Sequence, residues 1–195
     1  ILLGLVGSEM CIRDRHGLLK FLTMAVCIFA AFTGVYEYYL LDAAIFIDYL
    51  EMSAASATWF LNTFTTEQID LIYSGWDTKT KLISVENRGG FVVVTAGCDA
   101  SVVFATLLST VLAWPSPFFK RILATLVGLI IMYSLNILRI SGMLLVDLHF
   151  PDHFELFHEW IMPILLVIGP LLYFYAWIIV SSAATARKSG TPPTS

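Results

Sequence analysis

Three residues with reactive or charged side chains stand at the ends of apolar segments in this sequence. Cys98 begins one apolar stretch, Arg139 ends the next, and His158 begins the last. If these stretches cross a bilayer as helices, the three residues lie at one depth near one membrane surface. A thiolate is a nucleophile, a guanidinium can stabilise an oxyanion, and an imidazole can transfer protons. The set therefore predicts cysteine-based acyl transfer.

The reactivity of the cysteine depends on its surroundings. Gly97 ends a predicted strand, and we expect a helix to begin at or just after Cys98. The partial positive charge of a helix N-terminus favours the thiolate. Asp99 opposes it by like-charge repulsion, unless its side chain points away. The alternative is a buried, inert cysteine, which is what we expect of Cys27 within its apolar run.

Arg139 has two interpretations. It can be an interfacial anchor that reaches lipid phosphates, or a group enclosed by protein, since apolar sequence continues over 140–146. Asn136 lies three residues earlier, on the same helix face. Two polar groups on one face of an apolar helix indicate a lined cavity. We predict that Asn136 and Asp99 either contact substrate or support the three reactive residues.

His158 has neighbours that could bind a metal instead. His149 and His153 lie close by in the sequence with several acidic residues, and imidazole and carboxylate are usual metal ligands. The spacing of the histidines is not that of common zinc sites, so we predict no metal site and no cofactor. His158 would instead protonate the leaving amine and then activate the incoming nucleophile.

The composition indicates an integral membrane protein. Of the 195 residues, 58% are apolar and 13% are charged, whereas about a quarter of a soluble domain is charged. The net charge of −4 carries little information, because the location of charges matters more than their sum in a membrane protein. No basic cluster suited to nucleic acid is present in the sequence.

Four apolar segments are long enough to span a bilayer as helices. They cover about 21–41, 98–114, 122–138 and 160–181. Pro115-Ser116-Pro117 ends the second segment, so the second and third are expected to be antiparallel neighbours. At 1.5 Å per residue, 98–114 descends about 24 Å and 121–139 climbs about 27 Å, which returns Arg139 to the depth of Cys98.

Basic residues predict the orientation of these spans. Five of them flank the same side of the predicted membrane, which the positive-inside rule assigns to the cytoplasm. Lys79, Lys81 and Arg88 lie on the other side, in a longer loop where the rule is weaker. An even number of spans places both termini in the cytoplasm and the three reactive residues at the outer surface. The five basic residues on the cytoplasmic side are Lys20, Lys120, Arg121, Arg187 and Lys188.

The long loop 42–97 is predicted to contain structure of its own. Its apolar residues recur at helical spacing and predict an amphipathic helix in the membrane interface; a fifth span is the alternative, weakened by Asp48 and Glu51. Further on, 80–86 and 91–95 are strand-like on either side of a turn at 87–90, which predicts a β-hairpin. The apolar helix residues are Ile45, Tyr49, Leu50, Ala57, Phe60, Leu61 and Phe64.

The sequence thus predicts an all-α integral membrane protein with four transmembrane helices, an extracytoplasmic interfacial helix and a small β-hairpin. Residues 1–15 fit neither a signal peptide nor the pattern that follows, and are expected to be a non-native segment. Residues 16–182 form the predicted transmembrane domain. Residues 183–195 are expected to be a disordered cytoplasmic tail.

Four short motifs, in order, resemble the exosortase/archaeosortase family. They are 90–99, which ends in Cys98-Asp99, the turn 112–117, Asn136-x-x-Arg139-Ile140, and 154–160 around His158. The resemblance covers about 17–182, and the short length and last motif are most similar to the small exosortase H type. The family often has glycine two residues after the cysteine, where this chain has Ala100.

The resemblance implies a cysteine transpeptidase or peptidase of the bacterial inner membrane, with its active site facing the periplasm. Its substrates would be exported proteins with a C-terminal motif, a transmembrane helix and a basic tail, cleaved and transferred to an acceptor. By motif, Cys98 would be the nucleophile, Arg139 the oxyanion partner and His158 the acid/base. A non-catalytic membrane scaffold subunit and a metal-binding membrane transporter using the histidines are the alternatives.

Overall fold

The computed structural model describes the backbone of residues 2–41, 43–73, 80–84 and 90–189, and the side chains of 17–41, 43–72, 82 and 90–180. Within these ranges the chain is mostly helical. The helices are α1 (Leu2–Val35, continued by a π-helical turn Tyr36–Leu40), α2 (Ala44–Phe64), α3 (Ser101–Ala113), α4 (Phe118–His149), α5 (Phe154–Leu156) and α6 (Met162–Ser189). The strands are β1 (Ile69–Tyr73), β2 (Thr80–Ser84) and β3 (Phe91–Val94).

Three helical segments in the described part of the chain are long and apolar enough to cross a membrane. They are Gly17–Leu40, Phe118–His149 and Pro151–Val180. The predicted second span, 98–114, is the shorter apolar helix α3 of 13 residues. At 1.5 Å per residue α3 is about 20 Å long, against a hydrocarbon core of about 30 Å. The structure therefore supports three of the four predicted spans by length and composition.

Helix α4 is longer than the predicted third span. The sequence pattern placed Arg139 at the end of 122–138, but α4 continues to His149. No proline follows Arg139 until Pro151, which disfavours helical backbone at the preceding Phe150. Arg139 therefore lies inside a helix, about 15 Å from its C-terminal end at 1.5 Å per residue.

Helix α2 is the helix predicted in the long loop, but its buried face differs from the predicted stripe. Ile45 and Phe64 were expected in that stripe and are 68% and 66% exposed. The buried positions recur every three or four residues, as one face of a helix requires. They are Phe46, Leu50, Ser53, Ala54, Ala57 and Leu61, and they face α4 and the sheet.

The described strands form one antiparallel sheet in the order β1-β2-β3. The β2–β3 pair is the predicted hairpin, with Leu82 opposite Val92; most of its turn, 85–89, lies outside the described residues. Strand β1 was not predicted, and it pairs with β2 through Leu71 opposite Leu82. Buried side chains of α2, the sheet and the second half of α4 form one apolar core, and α3, α4 and α6 share another.

Candidate active site

Cys98 lies on a short connection between β3 and α3. The last turn before it is a 3-10 turn, Ala96–Cys98, in which the Cys98 N–H donates to the Thr95 carbonyl at 2.8 Å. Helix α3 begins only at Ser101. The expectation that the helix starts at or just after Cys98 is therefore wrong by about one turn, and the charge of the helix terminus, which fades within a turn, acts on the thiol more weakly than predicted.

Ala100 separates Cys98 from α3 with a left-handed backbone. Its φ is 55° and its ψ is 27°, and among the described non-glycine residues it is the one with a positive φ. Side chains with a Cβ atom disfavour this region, which glycine adopts freely. The position two residues after the cysteine thus has a backbone that favours glycine, and this chain places a methyl group there.

Three successive carbonyls around Cys98 accept hydrogen bonds from side chains of two helices. Arg139 Nη1 donates to the Gly97 carbonyl at 3.4 Å and Asn136 Nδ2 donates to the Cys98 carbonyl at 2.9 Å. The Tyr49 hydroxyl, from α2, donates to the Asp99 carbonyl at 2.9 Å. These bonds fix consecutive peptide planes, and we call the set the carbonyl clamp.

The three residues predicted to do chemistry border one cavity. Cys98, Arg139 and His158 line a space of about 350 Å³ between β3, α4 and the segment that precedes α6. The sequence placed the three residues at one membrane depth, which does not by itself imply contact, and in the structure they line the same cavity. The other lining residues are Phe91, Val92, Val93, Ile140, Met143, Asp147 and Phe154.

The thiol and the imidazole differ in how they are held. The Cys98 side chain is half-buried, and its Sγ donates a weak hydrogen bond to the Val93 carbonyl at 3.7 Å. His158 is exposed and belongs to the π-helical turn Phe157–Ile161. Its ring stacks on Phe154, with 5.8 Å between centroids and 13° between planes. The aromatic contact orients the imidazole at the rim of the cavity.

Asn136 and Asp99 lie behind the cavity rather than on its wall. Asn136 is fully buried and holds the Cys98 carbonyl, so it supports the backbone of the cysteine. Asp99 is 5% exposed. It lines a separate cavity of about 550 Å³, which Tyr36 and Arg139 also border. Asp99 is not among the residues that line the thiol's cavity.

Two residues near the cysteine were not predicted to belong to the site. Tyr49 was assigned only to the apolar stripe of α2. Burial raises the pKa of its phenol to about 12, so the hydroxyl stays neutral and can donate a hydrogen bond at physiological pH. Asp147 lines the cavity, and its Oδ2 accepts a hydrogen bond from the Phe91 N–H at 2.9 Å. Asp147 follows Arg139 by just over two helical turns, a spacing that could have indicated the same face of α4.

The histidines do not converge with acids on a metal site in the described part of the chain. His149 lies instead beside Glu67, with 3.3 Å between Nε2 and Oε1. The metal-binding alternative therefore finds no ligand set among the described side chains.

No protein-family model matches this chain, and no characterised protein or solved structure matches it at a significant level. The interpretation of the site therefore depends on its own geometry and on the sequence motifs.

Proposed function

We propose that this chain is a membrane-embedded cysteine acyltransferase that acts on peptide bonds. The observation that carries the proposal is the cavity of about 350 Å³ lined by Cys98, Arg139 and His158. A nucleophile, a cation and an acid/base around one cavity are the parts that acyl transfer needs. A scaffold subunit would need none of them.

Within that class we propose a small, exosortase H-like sorting transpeptidase. The motifs support this, because the reactive residues of three of them border one cavity and Asn136 of the third motif holds the Cys98 carbonyl. The left-handed backbone at Ala100 adds support, since it is a conformation in which the family's usual glycine would be favoured. The proposed substrates are exported proteins with a C-terminal motif, a transmembrane helix and a basic tail.

The proposed reaction has two balanced steps. The Cys98 thiolate attacks the scissile carbonyl, a C–S bond forms, and the C–N bond breaks as His158 gives a proton to the leaving amine. An acceptor nucleophile then loses a proton to His158 and attacks the thioester, which releases the thiolate. The Arg139 guanidinium stabilises the oxyanion in both steps with donors other than the Nη1 that faces the Gly97 carbonyl.

The proposed arrangement in the bilayer follows the basic residues of the sequence. Both termini lie in the cytoplasm of a bacterial cell, α3 is a shortened second span, and α2 lies in the outer interface with its exposed apolar residues toward lipid. The active-site cavity then faces the periplasm near the membrane surface. This arrangement would admit a substrate that arrives by export while its own helix is still in the membrane.

Alanine substitutions test the proposal. Exported proteins encoded near this chain that end in a shared motif, an apolar run and a basic tail are the candidate substrates. Co-expressed with one of them, C98A, R139A and H158A are expected to abolish cleavage while the protein remains in the membrane fraction. Cys27→Ala is the matched control, because this exposed cysteine lies outside the cavity. Full cleavage by C98A would show that the nucleophile is assigned wrongly.

A membrane-impermeant thiol reagent distinguishes the enzyme from a scaffold. If Cys98 is the nucleophile, it reacts with the reagent from the periplasmic side and the substrate protects it. A Cys98 thiol that the reagent modifies equally fast with and without substrate would favour the scaffold.

A further inference from the structure

Strand β3 has one edge that no other strand covers in the described sheet. The order β1-β2-β3 places β2 on one side of β3 only. The backbone N–H and C=O groups of an edge strand that point away from the sheet are ready partners for another extended chain. What those groups contact therefore decides whether the edge can bind a peptide.

The contacts of Phe91 and Val93 identify the groups on the open edge. The Phe91 N–H donates to Asp147 and the Val93 carbonyl accepts from the Cys98 thiol, both outside the sheet. In an antiparallel pair, residues alternate between bonding their partner and pointing away from it. The backbone N–H and C=O groups of Phe91 and Val93 thus point away from β2. The Val93 N–H has no acceptor among the described residues.

This open edge forms one wall of the active-site cavity. Phe91, Val92 and Val93 line it together with Cys98, Arg139 and His158. The thiol sulfur lies 3.7 Å from the carbonyl oxygen of Val93, the residue whose N–H has no acceptor in the described part of the chain. Asp147 already occupies the Phe91 N–H at the far end of the strand. The available donor is therefore the one nearest the proposed nucleophile.

We propose that the open edge of β3 binds the substrate as an added strand, with a carbonyl of an extended peptide accepting a hydrogen bond from the Val93 N–H. This inference rests on the proposed function, because a cysteine acyltransferase must hold a peptide beside Cys98. Backbone pairing gives affinity with little dependence on sequence, and side chains that alternate on the bound strand supply specificity. Asp147 blocks pairing at Phe91 and so confines the peptide to the end of β3 beside the thiol.

Alkylation of Cys98 tests this without a known substrate and without turnover. The full chain is used in lipid nanodiscs with Cys11 and Cys27 changed to serine, so that Cys98 is the remaining thiol of three. The peptide probe is a mixture of acetyl-tripeptidyl chloromethyl ketones varied at the two outer positions, and iodoacetamide is the small probe. Intact mass gives the rate for each.

Val93→Pro removes the N–H without breaking the β2 pairing, since this N–H points away from β2 and proline is tolerated on edge strands. We expect V93P to lower the rate at which the peptide probes alkylate Cys98 about tenfold. The alkylation rate with iodoacetamide should stay within about twofold of the wild-type rate. Val93→Ala is the matched variant that keeps the N–H, and it is expected to react with the peptide probes about tenfold faster than V93P does. Equal peptide-probe rates in wild type and V93P would overturn the proposal, whether or not C98A abolishes processing.

A second set of probes tests the proposal on the wild-type chain, so that the result does not depend on whether V93P disturbs Cys98 itself. Replacing the peptide bonds of the tripeptidyl ketones by trans-alkenes keeps the extended shape and removes the carbonyl acceptors. On the wild-type chain these probes are expected to react about tenfold more slowly than the peptides. Equal rates for the two probe sets would overturn strand addition.

Discussion

The backbone around Cys98 is held at three consecutive carbonyls, and each bond comes from a different side chain. Arg139, Asn136 and Tyr49 belong to two helices that pack against each other. A nucleophile must approach a carbonyl with its reacting atoms correctly aligned, and a misplacement of about 1 Å can cost about a hundredfold in rate. Asn136 and Tyr49 provide that alignment from outside the cavity, where they do not compete with substrate for space, whereas Arg139 also lines the cavity.

Removing the Tyr49 hydroxyl tests the clamp. Y49F is expected to lower kcat for substrate cleavage about tenfold with KM unchanged, because the Asp99 carbonyl loses its donor and the cysteine turn loosens. Y133F is the matched control: the Tyr133 hydroxyl also links α4 to α2, through Ser56 at 3.0 Å and the Met52 carbonyl at 3.5 Å, and not through the cysteine turn. Kinetics with a cognate substrate in nanodiscs give both values. Equal kcat for Y49F and Y133F would contradict the role of Tyr49.

Replacing Ala100 by glycine is expected to stabilise the protein. Ala100→Gly relieves a left-handed backbone that costs an alanine about 1–2 kcal/mol, against about 0.4–1 kcal/mol of added unfolded-state entropy. The net expectation is a gain of about 0.5–1 kcal/mol and a higher Tm in detergent. The matched control is Ala105→Gly, inside α3, which should destabilise by about 1 kcal/mol. A lower Tm for A100G would show that the methyl group contributes packing that outweighs the strain.

Among the elements, α4 positions most of the site. Asn136 and Arg139 lie one turn apart and both bond the Cys98 turn, and Asp147 further along the helix bonds β3. One rigid helix thus sets the distance between the cysteine turn and the edge strand. Its other end packs tightly on α3 and α6 at Gly128, where an added Cβ would lie 2.9 Å from Leu107 and from Tyr173.

The close approach at Gly128 gives a test at the level of helix packing. Gly128→Ala is expected to destabilise the protein by about 1–3 kcal/mol, because the Leu107 side chain is fully buried and cannot yield without disturbing its neighbours. Gly34→Ala, in α1, meets nothing within 4 Å and should be neutral or stabilising by up to about 1 kcal/mol. Thermal unfolding in detergent compares the two. Equal stability would mean that the three helices can separate at this point at no cost.

Over the whole molecule, the sequence predicted the site best where the residues concerned lie on one helix. The spacing of Asn136 and Arg139 predicted that both lie on one face of α4, and both bond the cysteine turn. Equal depth placed Cys98 at the level of Arg139 without predicting a contact. Tyr49 could not be placed, because its role depends on the rotation of α2, and the predicted stripe included the exposed Ile45. Asp147 was missed because Arg139 was taken as the end of its helix. Relations between separate elements, unlike spacing within one, leave little trace in a single sequence.

The proposed topology predicts which side of the membrane each connection faces. In a chain whose native cysteines are replaced by serine, Phe119→Cys is expected to react with an impermeant maleimide only in inside-out vesicles. Asp152→Cys should react only in right-side-out cells. Both residues are exposed, so a lack of reaction reflects sidedness rather than burial. Labelling of both from one side would mean that α4 does not cross the bilayer as proposed.

The shortness of α3 also matters for the lipids around it. If α3 spans the bilayer as proposed, a helix about 10 Å shorter than the hydrocarbon layer makes the adjacent leaflet thin or its headgroups dip inward. Because Cys98 precedes the first residue of α3 by three positions, this depression would bring water to the proposed thioester. Hydrolysis would then compete with transfer, and the ratio of free acid to acceptor conjugate should rise in thinner membranes.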